Sequence, residues 1–380
     1  MPVVPSRRSA TTRRIAINTG GGDAPGLNAV IRGAVLSALE RGWEVHGIRR
    51  GYEGLFVEDG MVPLDRDSVS GITHLGGTIL GTTNRGNPFS WPRTTEEGAV
   101  EIVDRSQEVL DRFSELGLDA LIAIGGDGSL HIAHELSLRG LPVVGVPKTI
   151  DNDLAATSLT FGFLTAVETA TDAIDRLHST AEAHRRVMVV ELMGRHTGWI
   201  ALFAGVAGTA DVILIPEIPY DLDCICRKIQ ERYSSGRNFA IVVAAEGAVP
   251  RDGEAVFLET DIPGSADRYG GVADLLAHEI GRRTGRETRS LVLGHLQRGG
   301  SPTSYDRLLA LRFGSAAVDL VEQGEYGCMV ALDPPHVIAV PLEDAVSSLK
   351  YVPLDGDVMH TARHLGISFG DDVPPHPARG

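Results

Sequence analysis

The stretch LPVVGVPKTIDND, residues 141–153, decides the fold class of this 380-residue chain. Its first six residues are an apolar run of strand length, and the proline that follows predicts the end of a buried strand. The remaining PKTIDND, residues 147–153, carries a cation, a hydroxyl and two carboxylates. Open α/β sheets bind ligands at the carboxyl ends of their strands. The stretch therefore predicts an α/β fold with a functional loop, although a polar turn is the alternative interpretation of D-N-D alone.

The composition predicts a globular protein of more than one domain. The hydrophobic content is 43% and the charged content 22%, and 380 residues can bury two cores. The formal net charge of −15 argues against non-specific nucleic-acid binding, which needs a basic surface. No apolar run approaches the roughly 18 residues of a membrane span. The three cysteines form no CxxC pair, which fits a cytoplasmic location.

A glycine-rich turn, GGG at 20–22, follows the first predicted strand, Arg14–Thr19. Apolar residues at helical spacing then begin at Leu27. In a strand–turn–helix unit, free backbone N–H groups and the helix N-terminus can hold a phosphate, and glycines let it approach closely. The pattern is neither a Walker loop nor the spaced Rossmann glycines, so a tight βα turn stays open as the alternative.

A second glycine-rich turn, GGDGS at 125–129, follows the apolar strand 120–124. A helix is expected from Leu130 to about Arg139. Three glycines around one carboxylate combine a phosphate cradle with a ligand for a hard cation. Because Mg²⁺ prefers one or two carboxylates plus phosphate oxygens, Asp127 is the predicted metal ligand.

The second half of the chain gathers cations at the ends of its predicted strands. They are Arg185, Arg186, Arg195, Arg289, His295 and Arg298. Arginine suits bidentate recognition of phosphate, so this set predicts a pocket for a sugar phosphate, with Glu246 as a hydroxyl acceptor or a helix cap. A phosphate and magnesium site combined with such a pocket favours phosphoryl transfer. Asp151 would then take the acceptor proton, and Arg195 or Lys148 would balance the charge of the moving group.

Six blocks of sequence, taken together and in order, resemble the 6-phosphofructokinase family. They are GGDAPG (21–26), GGDGS (125–129), PKTIDND (147–153), HRRVMVVELMGR (184–195), AAEG (244–247) and ETRSLVLGHLQRGGSP (287–302). The resemblance covers about residues 13–365. Each block is modest alone, whereas the ordered set is highly specific.

The resemblance implies Mg²⁺-assisted transfer of the γ-phosphoryl group of ATP to the 1-hydroxyl of fructose 6-phosphate, a step of glycolysis. The implied donor-binding residues are Gly22, Arg85, Gly126, Asp127, Gly128 and Ser129, with Asp127 on magnesium. Asp151 is the implied base, Arg195 stabilises the transferring group, and Thr149 and Asp153 lie beside the base. The implied fructose 6-phosphate site consists of Thr149, Asp151, Arg186, Met193, Gly194, Arg195, Glu246, Arg289, His295 and Arg298.

The resemblance also implies the domain organisation and the assembly. The fold would be two Rossmann-like, three-layer α/β/α domains with mainly parallel sheets. The expected division is a flexible arm (1–12), a donor domain (13–161 plus 297–347), a fructose 6-phosphate domain (162–296 plus 348–365) and a flexible tail (366–380). In the family, the equivalents of Arg186 and Arg289 reach a neighbouring subunit's site, so a homodimer or homotetramer is expected.

Two positions bear on the donor in this family. Position 128 is Gly in ATP users and Asp in pyrophosphate users, because a carboxylate there would repel the nucleotide. Position 148 is commonly Gly in bacterial ATP users and Lys in pyrophosphate users. This chain combines Gly128 with Lys148. We expect ATP, since Gly128 removes the physical obstacle, and pyrophosphate is the alternative donor.

Other classes of protein share parts of the pattern. GGDG followed by a small hydroxyl residue also occurs in NAD kinases and lipid kinases, but the TIDND and HLQRGG blocks argue against both. A nucleotide-binding regulator without catalysis is a more distant alternative. Such a protein would have no reason to keep Asp127, Asp151 and Arg195 together.

Overall fold

A computed structural model describes residues 13–95, 98–259 and 268–372 of the chain. The predicted flexible arm, residues 1–12, lies outside the described residues, and so do residues 373–380 of the predicted tail. No helix in the described ranges combines the length and the apolar character needed to cross a membrane.

The described residues alternate between strands and helices over most of the chain. The strands are β1 (Arg14–Thr19), β2 (Glu44–Ile48), β3 (Met61–Pro63), β4 (Trp91–Thr94), β5 (Val100–Val103), β6 (Ala120–Gly125), β7 (Val143–Thr149), β8 (Phe161–Gly162), β9 (Val187–Leu192), β10 (Val212–Leu214), β11 (Ala240–Ala245), β12 (Phe257–Glu259), β13 (Arg268–Tyr269), β14 (Thr288–Val292), β15 (Cys328–Asp333) and β16 (His336–Pro341). The helices are α1 (Leu27–Leu39), α2 (Ser106–Glu115), α3 (Asp127–Leu138), α4 (Phe163–His184), α5 (Trp199–Ala207), α6 (Leu222–Ser234), α7 (Val272–Thr284), α8 (Ser304–Gln323), α9 (Leu342–Val346) and α10 (Asp357–His364). Short 3₁₀ helices cover Glu53–Leu55 and Gly294–Arg298.

Internal contacts divide the chain into two compact units. The first consists of Met1–Thr149, Leu154–Phe161 and Ser301–Ser348, and the second of Ile150–Asp153, Gly162–Gly300 and Leu349–Gly380. The short segment Ile150–Asp153 groups with the second unit in this division, whereas the sequence analysis places it with the first.

The first unit is built on a mixed eight-stranded sheet. Its strand order is β16-β15-β7-β6-β1-β2-β3, and β8 pairs with β7. The strands from β15 to β2 are parallel, whereas β3 and β16 run antiparallel at the two edges. Alternate residues of β1 face opposite cores: Ile15 and Ile17 pack with α1 and α8, and Ala16 packs with α2 and α3. This unit therefore has helices on both faces of its sheet, as near-continuous apolar strands require.

The second unit is built on a four-stranded, fully parallel sheet. Its strand order is β10-β11-β9-β14. One face packs on α6 and α7 through a core that includes Val189, Val242 and Ile229. Helices α4 and α5 contact β9, β10 and β11. The α/β prediction is thus confirmed, with parallel strands dominating both sheets.

Two predicted boundaries are wrong, and one helix was not predicted. Helix α3 begins at Asp127 rather than Leu130, because the extended Gly126 is its N-cap residue and Gly128 adopts helical backbone in its first turn. Strand β7 continues through Pro147 to Thr149, since Pro147 lies opposite Gly125 of β6 and beyond the residues that pair with β15. Helix α4, Phe163–His184, was not predicted at all.

The expected flexible tail begins later than residue 366. The Ser368 backbone N–H donates to Asp211 O at 3.1 Å, and the Ile213 N–H donates to Ser368 O at 2.9 Å. Phe369 is fully buried. Residues 367–369 thus extend the second sheet beside β10, which corrects the predicted start of the tail.

Helices α1 and α8 of the first unit cross at two glycines, and this contact provides a stability test. A Cβ atom added to Gly314 would lie 2.7 Å from Ala34 N and closer still to Val30 O. Since both neighbours are backbone atoms, the helices must separate. We expect Gly314→Ala to lower the free energy of unfolding by about 1–3 kcal/mol, measured from urea unfolding followed by circular dichroism.

Gly281→Ala in α7 is the matched control for this prediction. The nearest atom to an added Cβ there is 3.5 Å away, and alanine is a better helix former by about 1 kcal/mol. We expect its unfolding midpoint to stay the same or rise. Equal midpoints for the two variants would contradict the tight crossing.

Candidate functional site

The two glycine-rich turns lie side by side in the first unit because β1 and β6 are parallel neighbours. Thr19 pairs with Ile124 at the carboxyl ends of these strands, and the Gly20 N–H donates to Ile124 O at 2.9 Å. The Ser129 side chain occupies the space between the turns. A Cβ atom on Gly20 would lie 2.7 Å from Ser129 Oγ, and one on Gly125 would lie 2.9 Å from the same atom. At Gly125 the added atom would also lie 2.3 Å from Ser129 Cβ, so glycine is required at position 125, whereas at position 20 the contact is to the Ser129 hydroxyl.

The loop at residues 76–86 closes against the GGG turn. The Gly21 N–H donates to Thr83 O at 3.1 Å, and the Thr82 hydroxyl donates to Gly21 O at 2.6 Å. Arg85 follows two residues later with an exposed side chain, and its own N–H is held by the Thr83 hydroxyl at 3.0 Å. The structure thus brings the predicted donor residues Gly22 and Arg85 into one region.

The N-terminus of α3 forms the second part of this region. Gly126 is the N-cap residue with extended backbone, and Asp127, Gly128 and Ser129 form the first turn. The first N–H groups of a helix lack intrahelical acceptors, and together with the helix dipole they favour an anion. Gly128 is exposed, and a Cβ atom added to it would have no neighbour within 4 Å. The protein itself therefore imposes no steric requirement for glycine at position 128.

Asp127 is the residue of this turn that suits a metal ion. No group of three or more His, Cys, Asp or Glu side chains that could hold a metal occurs among the residues described. The described residues therefore do not supply a complete set of metal ligands by themselves. One carboxylate at a phosphate-binding helix N-terminus does fit Mg²⁺, which takes most of its remaining ligands from phosphate and water.

Lys148 lies beneath the GGG turn rather than facing outward from the PKTIDND stretch. It is buried at 3% exposure on β7, and its ammonium donates a hydrogen bond to Gly22 O. A Cβ atom on Gly21 would come within 3.6 Å of Lys148 Nζ. Lys148 therefore holds the backbone of the turn. Thr149, the next residue, is also buried, and its carbonyl accepts from the Thr160 hydroxyl at 2.8 Å.

In the second unit, the predicted acceptor residues meet at the carboxyl ends of β9 and β11. The MGR turn leaves β9, with Gly194 at φ 149° and Arg195 at φ 48°. A side chain at Gly194 would place its Cβ 2.5 Å from Thr197 O, and one at Gly247 would overlap Arg195 O. The Arg195 N–H donates to Glu246 Oε1 at 3.1 Å. Glycines on both sides thus allow Arg195 to pack directly against the AAEG turn.

Asp151 belongs to the same cluster through its backbone. The Thr197 hydroxyl donates to Asp151 O at 3.2 Å and lies 3.3 Å from Gly194 O, so one side chain bridges the TIDND and MGR turns. Asp151 and Asp153 are buried at 5% and 9% exposure. The structure therefore brings Asp151, Met193, Gly194, Arg195 and Glu246 together.

Glu246 carries the largest electrostatic perturbation of this cluster. Burial, and to a smaller extent the negative charge of Asp151, raise the pKa of its carboxyl group to about 7. Hydrogen bonds from the N–H groups of Arg195 and Gly194 oppose the shift. Glu246 is consequently poised to change its charge near neutral pH.

The HLQRGG block forms the 3₁₀ helix Gly294–Arg298 directly after β14. His295 is exposed and Arg298 half-buried, whereas Gln297 is fully buried. Gln297 Oε1 accepts the Met193 N–H at 2.9 Å, so this amide joins the HLQRGG block to the MGR turn. The sequence analysis missed Gln297. Its signal was an uncharged polar residue enclosed between the two predicted phosphate ligands, His295 and Arg298.

Arg186 and Arg289 do not join the other acceptor residues within this chain. They precede β9 and lie at the start of β14, while Arg195 and Glu246 follow the carboxyl ends of β9 and β11. Strands of five or six residues separate these ends by about 15–20 Å. Both arginines bind the same carboxylate, Glu287 Oε1, at 2.8 and 2.7 Å. One chain therefore does not bring Arg186 and Arg289 to the other cations of the predicted pocket.

Comparison with known proteins identifies the class. The family model described as Phosphofructokinase matches residues 14–321. The chain is 50% identical over 363 residues to ATP-dependent 6-phosphofructokinase 2 of Clostridium perfringens, covering 94% of this chain and 99% of that protein. It is 51% identical over 361 residues to ATP-dependent 6-phosphofructokinase of Chloroflexus aggregans, covering 95% and 99%.

Solved structures agree with this match. Phosphofructokinase of Saccharomyces cerevisiae gives a TM-score of 0.74 at 32% identity, covering 88% of this chain and 45% of that chain. A pyrophosphate-dependent phosphofructokinase of Marinobacter aquaeolei gives a TM-score of 0.76 at 22% identity, covering 96% and 93%, and this likeness shows the fold alone. The chain belongs to the phosphofructokinase family.

The raised pKa of Glu246 predicts how stability depends on pH. Between the ordinary pKa of 4.5 and about 7, the folded chain keeps a proton on Glu246 that the unfolded chain releases. Stability therefore falls as pH rises through this window, by at most about 1.4 kcal/mol per pH unit. Glu246→Gln has no proton to lose at this position, so its urea-unfolding midpoint should rise relative to that of the wild type as pH increases from 5 to 8.

Glu58→Gln, at an exposed carboxylate, corrects for the general effect of removing one negative charge. The prediction fails if Glu246→Gln and Glu58→Gln change with pH in the same way.

Proposed function

We propose that this chain is an ATP-dependent 6-phosphofructokinase. It transfers the γ-phosphoryl group of ATP to the 1-hydroxyl of fructose 6-phosphate and produces fructose 1,6-bisphosphate, a reaction of glycolysis. The observation that carries the proposal is the match to relatives named ATP-dependent 6-phosphofructokinase at 50–51% identity over 94–95% of the chain. The two clusters of residues described above supply the donor and acceptor halves of such a reaction.

The first unit supplies the donor half. In the proposed roles, the backbone around Gly22 and the first turn of α3 hold phosphate groups, and Arg85 adds a positive charge. Asp127 would hold Mg²⁺, which neutralises phosphate charge when it is bound. The packing of the protein does not require glycine at position 128, because an added Cβ atom would meet no neighbour. The absence of a side chain there therefore supports a role in binding the donor, and a nucleotide is the donor that needs the space.

Lys148 does not support the alternative donor, pyrophosphate. The Lys148 ammonium donates to Gly22 O beneath the turn, so the lysine has a role in holding the turn with either donor. We therefore assign Lys148 to the shape of the donor turn and Gly128 to the choice of donor.

The second unit supplies the acceptor half. Asp151 is the proposed base that takes the proton of the 1-hydroxyl, and Arg195 stabilises the charge of the transferring group. Thr149 and Asp153, which lie two residues before and after Asp151 in the sequence, assist the proposed base. Met193, Gly194, Glu246, His295 and Arg298 would bind the sugar phosphate. Burial of Asp151 beside Glu246 keeps water away from the proposed base, which strengthens its interactions.

Assembly is the remaining part of the proposal. Arg186 and Arg289 cannot act with Arg195 of the same chain, because a strand length separates them. We propose that they complete the site of a second copy in a homodimer or homotetramer. The proposed location of the protein is the cytoplasm.

Substitution of the proposed base tests the acceptor half. We expect Asp151→Ser to lower kcat by about 10²–10⁴, the usual contribution of general-base catalysis, while binding of fructose 6-phosphate survives. Coupled-assay rates and equilibrium binding of the sugar phosphate measure the two effects separately. Unchanged kcat would remove Asp151 from the mechanism.

A carboxylate at position 128 tests the donor half. We expect Gly128→Asp to abolish the use of ATP, because its charge would repel the nucleotide phosphates without disturbing the fold. Gly128→Ala is the matched control, since it adds the Cβ atom without the charge and should keep most of the activity. Rates with ATP and with pyrophosphate are measured for all three proteins. Equal ATP rates, or a wild type that prefers pyrophosphate, would overturn the assignment of the donor.

A further inference from the structure

Lysine is rare in this chain and concentrates around the proposed catalytic loop. The sequence holds 35 lysines and arginines, but lysine occurs at positions 148, 228 and 350 alone. Lys148 belongs to PKTIDND, and Lys350 contacts the same stretch from a segment almost 200 residues later. No sequence motif pointed to Lys350.

Lys350 holds two successive residues of the loop. Its ammonium donates to Asn152 Oδ1 at 3.0 Å, and its backbone N–H donates to Asp153 O at 2.8 Å. Together with the bond from Thr197 to Asp151 O, each of the three residues Asp151, Asn152 and Asp153 accepts a hydrogen bond from a distant part of the second unit. Asn152 has a left-handed backbone at φ 51°, a conformation that asparagine adopts more readily than most residues other than glycine.

The Lys350 segment is itself fixed to the start of α5. The Trp199 indole N–H donates to Lys350 O at 2.7 Å, and the Lys350 ammonium lies 5.6 Å from the centre of the Trp199 ring. Two residues later, the Val352 N–H donates to Glu217 Oε1 at 2.9 Å, and the same carboxylate accepts the Gly198 N–H at 3.1 Å. These hydrogen bonds fix the backbone around Lys350, so its ammonium is held in place beside the loop.

Enclosing an ammonium at this position is unfavourable on its own. Burial lowers the pKa of Lys350 to about 8, and the Asp153 carboxylate acts in the opposite direction. A residue that served packing alone would be better replaced by an apolar side chain of the same length. The cation therefore has a use in holding a loop that carries two buried carboxylates.

We propose that Lys350 is a positioning residue for the phosphoryl-transfer reaction, which fixes the turn of Asp151–Asp153 through Asn152. Lys350 is not itself in contact with the reacting atoms in this proposal. The inference rests on the proposed function, since the loop carries the proposed base. Loss of the ammonium lets the base leave its reactive orientation but leaves the Met193, Glu246 and Arg298 contacts to the sugar phosphate in place.

The test compares Lys350→Met with Lys228→Met. Methionine keeps the length of the side chain and, at position 350, the backbone bond to Asp153, but it removes the ammonium. Lys228 on α6 is the matched control because it lies away from the loop. We expect Lys350→Met to lower kcat about 10–100-fold. Its KM for fructose 6-phosphate should stay within about twofold of the wild-type value, and its thermal unfolding midpoint within about 3 °C. Lys228→Met should match the wild type.

Two further measurements separate positioning from a general structural role. Lys350→Arg, which keeps a cation and a donor, should recover part of the lost kcat. In an Asn152→Gly background, where glycine accepts the left-handed backbone and the amide is gone, Lys350→Met should cost little more than Asn152→Gly alone. Additive losses in this double-mutant cycle would overturn the proposed action through Asn152.

A readout without turnover completes the test. Because the ammonium lies over the Trp199 ring, Lys350→Met should change tryptophan emission, while Lys228→Met should not. Wild-type kcat for Lys350→Met, or a loss that only parallels a lower unfolding midpoint, would overturn the inference. A wild type that phosphorylates no fructose 6-phosphate would instead overturn the proposed function, so the two failures are distinguishable.

Discussion

The parallel ladder of β1, β6 and β7 is the constraint on which the donor half depends. Its register sets Thr19 beside Ile124 and Gly125 beside Pro147, so the three strands end together and their turns emerge at one edge. The turns approach so closely that Ser129 fills the space between them, which leaves room for glycine alone at position 125 and puts the Ser129 hydroxyl against position 20. The Gly20 and Gly21 N–H groups are used within this packing, so the free N–H groups of the proposed phosphate site are those of the first turn of α3, which the same register places beside the GGG turn.

The acceptor half depends on a different principle, the satisfaction of buried polar groups. Carboxylates such as Asp151 and Glu246 are costly to bury unless hydrogen bonds and opposite charges compensate them. The second unit compensates Glu246 through the N–H groups of Arg195 and Gly194, and single side chains, Thr197, Gln297 and Lys350, bond backbone and amide groups of the surrounding turns. Each of these side chains joins two turns that are distant in sequence. These bonds hold the turns together, whereas burial and the charge of Asp151 raise the pKa of Glu246 against the hydrogen bonds that it accepts.

Local sequence predicted much of the fold, and its errors are instructive. Strands β1 and β6 were found at or within one residue of their true bounds, because each is a short apolar run followed by glycine. The start of α3 was placed at Leu130 because GGDGS resembles a turn, yet the helix begins at Asp127. That difference moves Asp127 into the helix and places the free N–H groups of the helix N-terminus at the proposed phosphate site. Helix α4 was missed because its apolar face is broken by many threonine and acidic residues.

The sequence by itself determined the family, the α/β class and the identities of the candidate residues, because ordered motifs of glycine, aspartate and arginine carry that information locally. Tertiary structure alone decided what each residue can reach. It turned Lys148 inward to the GGG turn, separated Arg186 and Arg289 from Arg195 by the length of a strand, and brought Lys350 onto Asn152. Strand register and the burial of polar groups set these distances, and neither is written in any short stretch of the chain.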